Sequence, residues 1–299
     1  MIRALALLAA VLAAAFAVQG SQATFTATKA NAGSSFTTAA KFAPVVSLTT
    51  PANGSATNDT TPTLSGAAGN TAGDNQPVTV KIYSGTAATG TPVQTRTPNR
   101  TGATWTTTLT TALAVGTYTA QATQTDTSGN TGTSTANTFT VDTTKPAALA
   151  VVAANKAGGT AGKIEAGDTI TFTYSEPITA ASVWSGWSGT SASVNVKFTD
   201  SASADTVTVL TATTGTINLG SVVTNGNYVS ANTTFASSMV RSADGASIVV
   251  TLGTPTSVQG TAVGAKNMKW TPVVGITDLA GNTSTTAASW TETDTDVDF

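Results

Sequence analysis

Between residues 44 and 141 the chain alternates apolar and polar positions in short runs. The clearest run is Val78-Thr79-Val80-Lys81-Ile82-Tyr83, whose period of two predicts a strand with one face inward. Comparable runs occupy residues 45–49, 62–65, 92–96, 103–109, 116–124 and 136–141, and clusters of Gly, Asn, Asp and Pro between them read as turns. The pattern restarts after Pro146, with strand-like runs at 148–153, 164–178, 194–198, 206–210, 217–222, 246–252 and 273–276.

About one residue in five is Thr, a β-branched residue that suits a pleated surface and gives it a polar outer face without charge. The fold class is therefore expected to be all-β. Seven strands in about 100 residues is the count of an immunoglobulin-like sandwich, and Tyr118 falls where such a fold places its tyrosine corner. The turn Asp126-Thr127-Ser128-Gly129-Asn130 returns as Asp278-Leu279-Ala280-Gly281-Asn282. Two related β-sandwiches in tandem follow, at 44–142 and 147–299, joined by a linker at 143–146. The second is long for one unit, which implies insertions around 181–191 and 253–267.

The start of the chain changes the picture from fold to address. Arg3 precedes an apolar run over residues 4–18, and Ser21 and Ala23 stand at the -3 and -1 positions of a cut before Thr24. That run is shorter than the roughly 20 residues of a membrane span. Residues 1–23 read as a signal peptide, with a retained anchor or a pilin-like core helix as the competing readings, and 24–43 as an extended N-terminal segment of the exported chain. No Leu-Pro-x-Thr-Gly sorting signal is read near the end, so covalent wall anchoring is not expected.

Charge and side-chain chemistry exclude several functions. With net charge -2 and thirteen scattered basic residues there is no basic stripe to track phosphates, so nucleic acid is not an expected partner. There is no His and no Cys, which removes Ser-His-Asp chemistry, thiol nucleophiles and disulfides. No catalytic residue is assigned and no enzyme is expected. Glu176, with Glu165 and Asp168 close by in sequence, offers one glycosidase-like pair among the many that fifteen acids allow, and no aromatic cleft is read beside it.

Several stretches resemble known families. Pro51-Ala52-Asn53-Gly54-Ser55, Pro62-Thr63-Leu64-Ser65-Gly66, Gly116-Thr117-Tyr118 and the turn at 126–130 resemble the bacterial Ig-like domains of surface proteins. Gly167-Asp168-Thr169-Ile170-Thr171-Phe172-Thr173-Tyr174-Ser175-Glu176-Pro177 is similar to a second Ig-like type found in S-layer and other surface proteins. Ala23-Thr24-Phe25, followed by Asn31 to Phe36, resembles the cleavage region of SipW-type signal-peptidase substrates, the TasA and camelysin group. These resemblances imply a secreted, non-enzymatic structural protein of the bacterial cell surface, a fibre or pilus-like subunit or an adhesive stalk. Phe25 and Phe36 would then be strand-donor residues, and the partners would be further copies in a fibre or a surface ligand, with no membrane contact in the mature form. The alternative is a monomeric adhesin or a carbohydrate-binding accessory module.

Two candidate sites remain. Trp184 and Trp187, flanked by Ser and Gly, are the residues placed to stack on a sugar, with core packing as the competing role. The Asp-x-x-Gly-Asn turns are explained by Asx chemistry and a positive φ at Gly. Calcium is the one cofactor the residues suggest, with Asp126, Asn130 and Asp142 as oxygen donors at the domain junction.

Overall fold

The computed structural model describes residues 42–213, 215–257, 263–285, 288–292, 297 and 299. The expected leader, Phe25, Phe36 and all but the last two residues of the 24–43 segment lie outside the described residues. Among the described residues no helix is long and apolar enough to cross a membrane.

The first sandwich is built from β1 (Ser55–Thr57), β2 (Thr63–Ala67), β3 (Asp74–Ser84), β4 (Gln94–Arg96), β5 (Thr104–Thr108), β6 (Gly116–Asp126), β7 (Thr131–Thr133) and β8 (Asn137–Val141). One sheet runs β1-β8-β6-β3-β4 with β7 also on β6, and β2 pairs β5 in the other. The apolar half of each alternating run faces inward: Val78, Val80 and Ile82 of β3 are fully buried against Leu64, Trp105 and Phe139. Residues 45–49 are expected as a strand; part of this run lies along β2, where Ser47 N donates to Ala67 O at 3.0 Å and Thr49 N to Ser65 O at 2.8 Å. Gly66 permits this approach, since a Cβ there would sit 1.9 Å from Ser47 O. The tyrosine corner is present, with Tyr118 OH donating to Ala114 O at 3.0 Å.

The second sandwich contains β9 (Ala148–Ala154), β10 (Thr169–Tyr174), β11 (Ala192–Thr199), β12 (Thr206–Thr211), β13 (Thr216–Val223), β14 (Thr233–Arg241), β15 (Ser247–Pro255), β16 (Lys269–Thr271) and β17 (Trp290–Thr291). They form one sheet, β17-β16-β13-β12-β11-β14-β15-β10-β9, whose two end strands come into contact as the sheet folds over its core. Trp270, fully buried, lies edge-on to Phe172 and Tyr174 and donates its indole N–H to Leu219 O at 2.6 Å. Phe198, Phe235, Tyr228 and Phe299 fill the rest with edge-to-face contacts.

β14 is absent from the sequence expectation, and the expected strand at 273–276 is irregular. The reason is visible in β14: its inward face reads Thr233, Phe235, Ser237, Met239, so two of four buried positions are polar and the apolar alternation fades. The expected insertion at 181–191 is a loop with the short helix α1 (Ala180–Val183) at its start.

Candidate functional site

β8 ends at Val141 and delivers Asp142 to the boundary between the sandwiches. Asp142 is held from both sides: its N–H donates to Thr57 O at 2.9 Å, and its carboxylate accepts Thr144 N at 2.9 Å. Glu176 follows β10 in the Ser-Glu-Pro segment. Asp278 opens the second Asp-x-x-Gly-Asn turn, where Oδ1 accepts Asn282 N at 2.8 Å and Oδ2 accepts Asn282 Nδ2 at 2.7 Å, with Gly281 at φ +91°. That turn is fastened to the first sandwich by two hydrogen bonds: Asn282 Nδ2 donates to Asp142 O at 2.8 Å, and Asn58 N donates to Ala280 O at 3.0 Å.

This clamp brings Asp142, Glu176 and Asp278 together. Each offers a carboxylate oxygen lying within 4.8 Å of the other two. They line a cavity of about 280 Å³ whose walls also include Ser55 and Thr140 from the first sandwich and Pro177 from the second. Two full negative charges about 5 Å apart repel by about 3 kcal/mol at an effective dielectric of about 20. Burial, and then the charges of Asp142 and Asp278, push the Glu176 carboxyl up to about 7, with a hydrogen bond toward Asp142 acting in the same direction. Glu176 Oε1 is shut off from solvent and has no hydrogen-bond partner. The only ion pair among the described residues joins Lys156 and Glu165, so no basic side chain neutralises the cluster.

Of the calcium donors expected from sequence, only Asp142 belongs to this site. Asp126 and Asn130 lie at the other end of the first sandwich: Gly116 at the start of β6 pairs Val141, while Asp126 ends the same strand. Ten residues of strand at about 3.3 Å each separate the two ends, far beyond the reach of one ion. Asp126 and Asn130 form a turn of the same build as 278–282, with Asp126 Oδ1 accepting Ser128 N and Asn130 N at 2.8 Å each, and Asn130 Nδ2 reaching Asp126 Oδ2 at 2.9 Å. Glu176 and Asp278 are the members that sequence reasoning did not join to Asp142, although the Ser-Glu-Pro segment and the repeated turn had marked both places.

The other candidates resolve into structural roles. Trp187 is buried and donates to Thr190 O at 2.7 Å, and half-buried Trp184 packs against the same core, which withdraws Trp187 from sugar stacking. Glu165 and Asp168 lie at the N-terminal end of β10 and Glu176 just past its C-terminal end, about 20 Å of strand apart, so they form no carboxylate pair. Both organise their own loop: Asp168 accepts the N–H groups of Lys156 and Glu165, and Glu165 accepts Thr160 N. Asp205, fully buried, takes the N–H groups of Ser201, Tyr228 and Val229.

No curated protein matches the chain. Among solved structures, the fibronectin(III)-like modules of CbhA from Clostridium thermocellum are similar at 16% identity over 72% of this chain and 92% of that one, with a TM-score of 0.26. Residues 49–143, which comprise the first sandwich up to Asp142 and its neighbour, match the family model of a bacterial Ig-like domain.

Proposed function

We propose that this chain is an exported, non-enzymatic structural protein of the bacterial cell surface, a stalk that holds or presents other groups. The observation that carries the reading is the joint between the sandwiches. Asn282 and Asn58 make direct hydrogen bonds across it, the first of them to Asp142 O beside the Thr-Lys-Pro linker, so the two units are held together where a flexible tether would leave them independent. A fastened tandem transmits force and sets a fixed spacing, which is what a stalk requires. The match of 49–143 to bacterial Ig-like domains and the signal-peptide layout of residues 1–23 support the surface setting.

Within this reading, residues 24–43 assemble the chain into a fibre by adding as a strand to an exposed sheet edge of the next copy, with Phe25 and Phe36 as the anchoring side chains. Negative-stain electron microscopy of the secreted, processed chain, beside a form lacking residues 24–43, tests it. Filaments from the longer form alone are expected. Single two-lobed particles from both forms would sink the fibre reading and leave a monomeric stalk or adhesin, and absence of the protein from the cell surface and medium would sink the export on which both rest.

A further inference from the structure

We propose that an open depression on the first sandwich, centred on Ser65 and Thr106, binds a neutral oligosaccharide. Its volume is about 470 Å³, within the range of small-molecule sites, and none of its lining residues is charged. Ser65 faces Thr106 and Ala67 faces Thr104 across the β2–β5 ladder, so these four side chains share the outer face of that sheet. Asn99 and Thr101 border them from the segment before β5.

The backbone at this place is already paired. Residues 47–50 hold one edge of β2, with Ser65 N donating to Thr50 O and Ser47 N to Ala67 O at 3.0 Å each, and β5 holds the other. A peptide therefore has no edge of β2 to join, and a ligand in the depression is read through side chains. Those side chains divide into two sets. Ser47 Oγ accepts Ala67 N at 3.0 Å, Thr49 Oγ1 donates to Ser65 O at 3.1 Å, and Thr104 Oγ1 donates to Thr101 O at 3.1 Å, so these three brace the rim. The hydroxyls of Ser65, Thr101 and Thr106 and the amide of Asn99 have no hydrogen-bond partner among the described residues and are available to a ligand. Each of these groups both donates and accepts. Thr methyl groups and Ala67 lie among them, so the surface mixes hydrogen-bonding and apolar points. A sugar presents the same mixture, hydroxyls set around a ring of C–H groups. A phosphorylated or acidic ligand would require a cation that the lining lacks. Trp105 also lines the depression, but it is 2% exposed and its indole N–H donates to Ser47 O and Ala67 O at 3.0 Å each, so it fixes the strands and offers no stacking face.

Such a site would let the stalk hold a glycan as well as set a spacing. It requires nothing of residues 24–43 and stands whether or not the chain assembles into fibres. The test is isothermal titration calorimetry of the full processed chain with tetrasaccharides of glucose, mannose, galactose and N-acetylglucosamine in turn, and with tetragalacturonic acid as the charged counterpart. At least one neutral sugar is expected to bind with a Kd on the order of 1 mM, and the acidic one about tenfold more weakly. Asn99→Ala combined with Thr106→Val removes one amide and one hydroxyl from exposed positions. It should leave the thermal midpoint within about 1 °C of the wild type and weaken sugar binding about tenfold. No heat from any neutral sugar at about 10 mM, or an unchanged affinity in the double variant, would overturn the site. Equal binding of the acidic sugar would overturn the assignment to a neutral ligand.

Discussion

The turns at 126–130 and 278–282 are built alike. In each, an Asp that is almost fully buried accepts the N–H of the Asn four residues on, the Asn side chain returns to the same carboxylate, and the intervening Gly takes a positive φ. Their surroundings differ. Asp126 ends β6 with Asn75 donating to its carbonyl oxygen, whereas Asp278 sits beside Asp142 and Glu176 at a domain boundary. The motif therefore fixes the same local backbone shape in both places, and at 278–282 its carboxylate also stands in a cluster with Asp142 and Glu176.

The largest test of that difference is to remove each carboxylate. Asp126→Ala leaves the N–H groups of Ser128 and Asn130 and the Asn130 amide without their acceptor, and should destabilise the first sandwich by about 3 kcal/mol in urea unfolding. Asp278→Ala loses a similar set of bonds but relieves the crowding on Glu176, so its loss should be visibly smaller. Equal losses would show that repulsion at the junction contributes nothing.

A smaller effect comes from pH. The Glu176 carboxyl titrates at about 7 in the folded chain and near 4.5 when free, so between these values the folded state retains a proton that the unfolded state has lost. Stability should be highest below about pH 4.5 as far as this group is concerned, fall as pH rises through the window to about 7, and level off above it. The groups facing it are Asp142 and Asp278, both acidic, so neither reverses the sign. With solvent screening allowed for, the swing should be about 1–2 kcal/mol, and Glu176→Gln should flatten it. A profile that rises through the same window would show that Glu176 is not held protonated. Next in size, Asn282→Ala should cost about 1.5 kcal/mol and speed hydrogen exchange at the Asn58 amide, which donates across the boundary, while Asn130→Ala should leave that amide as protected as before.

How far the residues themselves disclosed this arrangement depends on how local each feature is. β11 and residues 78–82 of β3 follow strict alternation, so their inward and outward faces could be read directly. The echo of the Asp-x-x-Gly-Asn turns was legible for the same reason, since every bond within them spans four residues or fewer. β14 was hidden because Thr233 and Ser237 occupy inward positions where the pattern wants apolar side chains. The sequence leaves Trp187 between sugar contact and core packing because its flanks, Ser185, Gly186, Ser188 and Gly189, are small and polar, and its ring packs into a core supplied by distant strands. The junction was the least legible feature. Asn282 and Asp142 are 140 residues apart, and nothing in either segment states which face of one sandwich meets which end of the other. Asp142 stands beside the linker in sequence, but its companions at the junction follow from docking, which no periodicity encodes.

The smallest effect separates the sandwiches themselves. The first sandwich carries a tyrosine corner, Tyr118 OH to Ala114 O at 3.0 Å, that ties the entry of β6 to the loop before it. The aromatic centre of the second, Trp270, instead anchors to Leu219 O on a neighbouring strand, and Tyr174 beside it has a buried hydroxyl without a partner, whose ionisation burial pushes upward. Tyr118→Phe deletes one hydrogen bond and leaves the ring contact with Phe139 intact, so the loss should be about 1 kcal/mol. Tyr174→Phe removes a hydroxyl that is buried and unsatisfied, and should be neutral or slightly stabilising. The pair therefore predicts opposite signs for the same chemical change, read as the midpoint of urea unfolding. A loss at Tyr174 comparable to that at Tyr118 would mean that its hydroxyl is satisfied in solution, by a buried water or by a shift of the surrounding core.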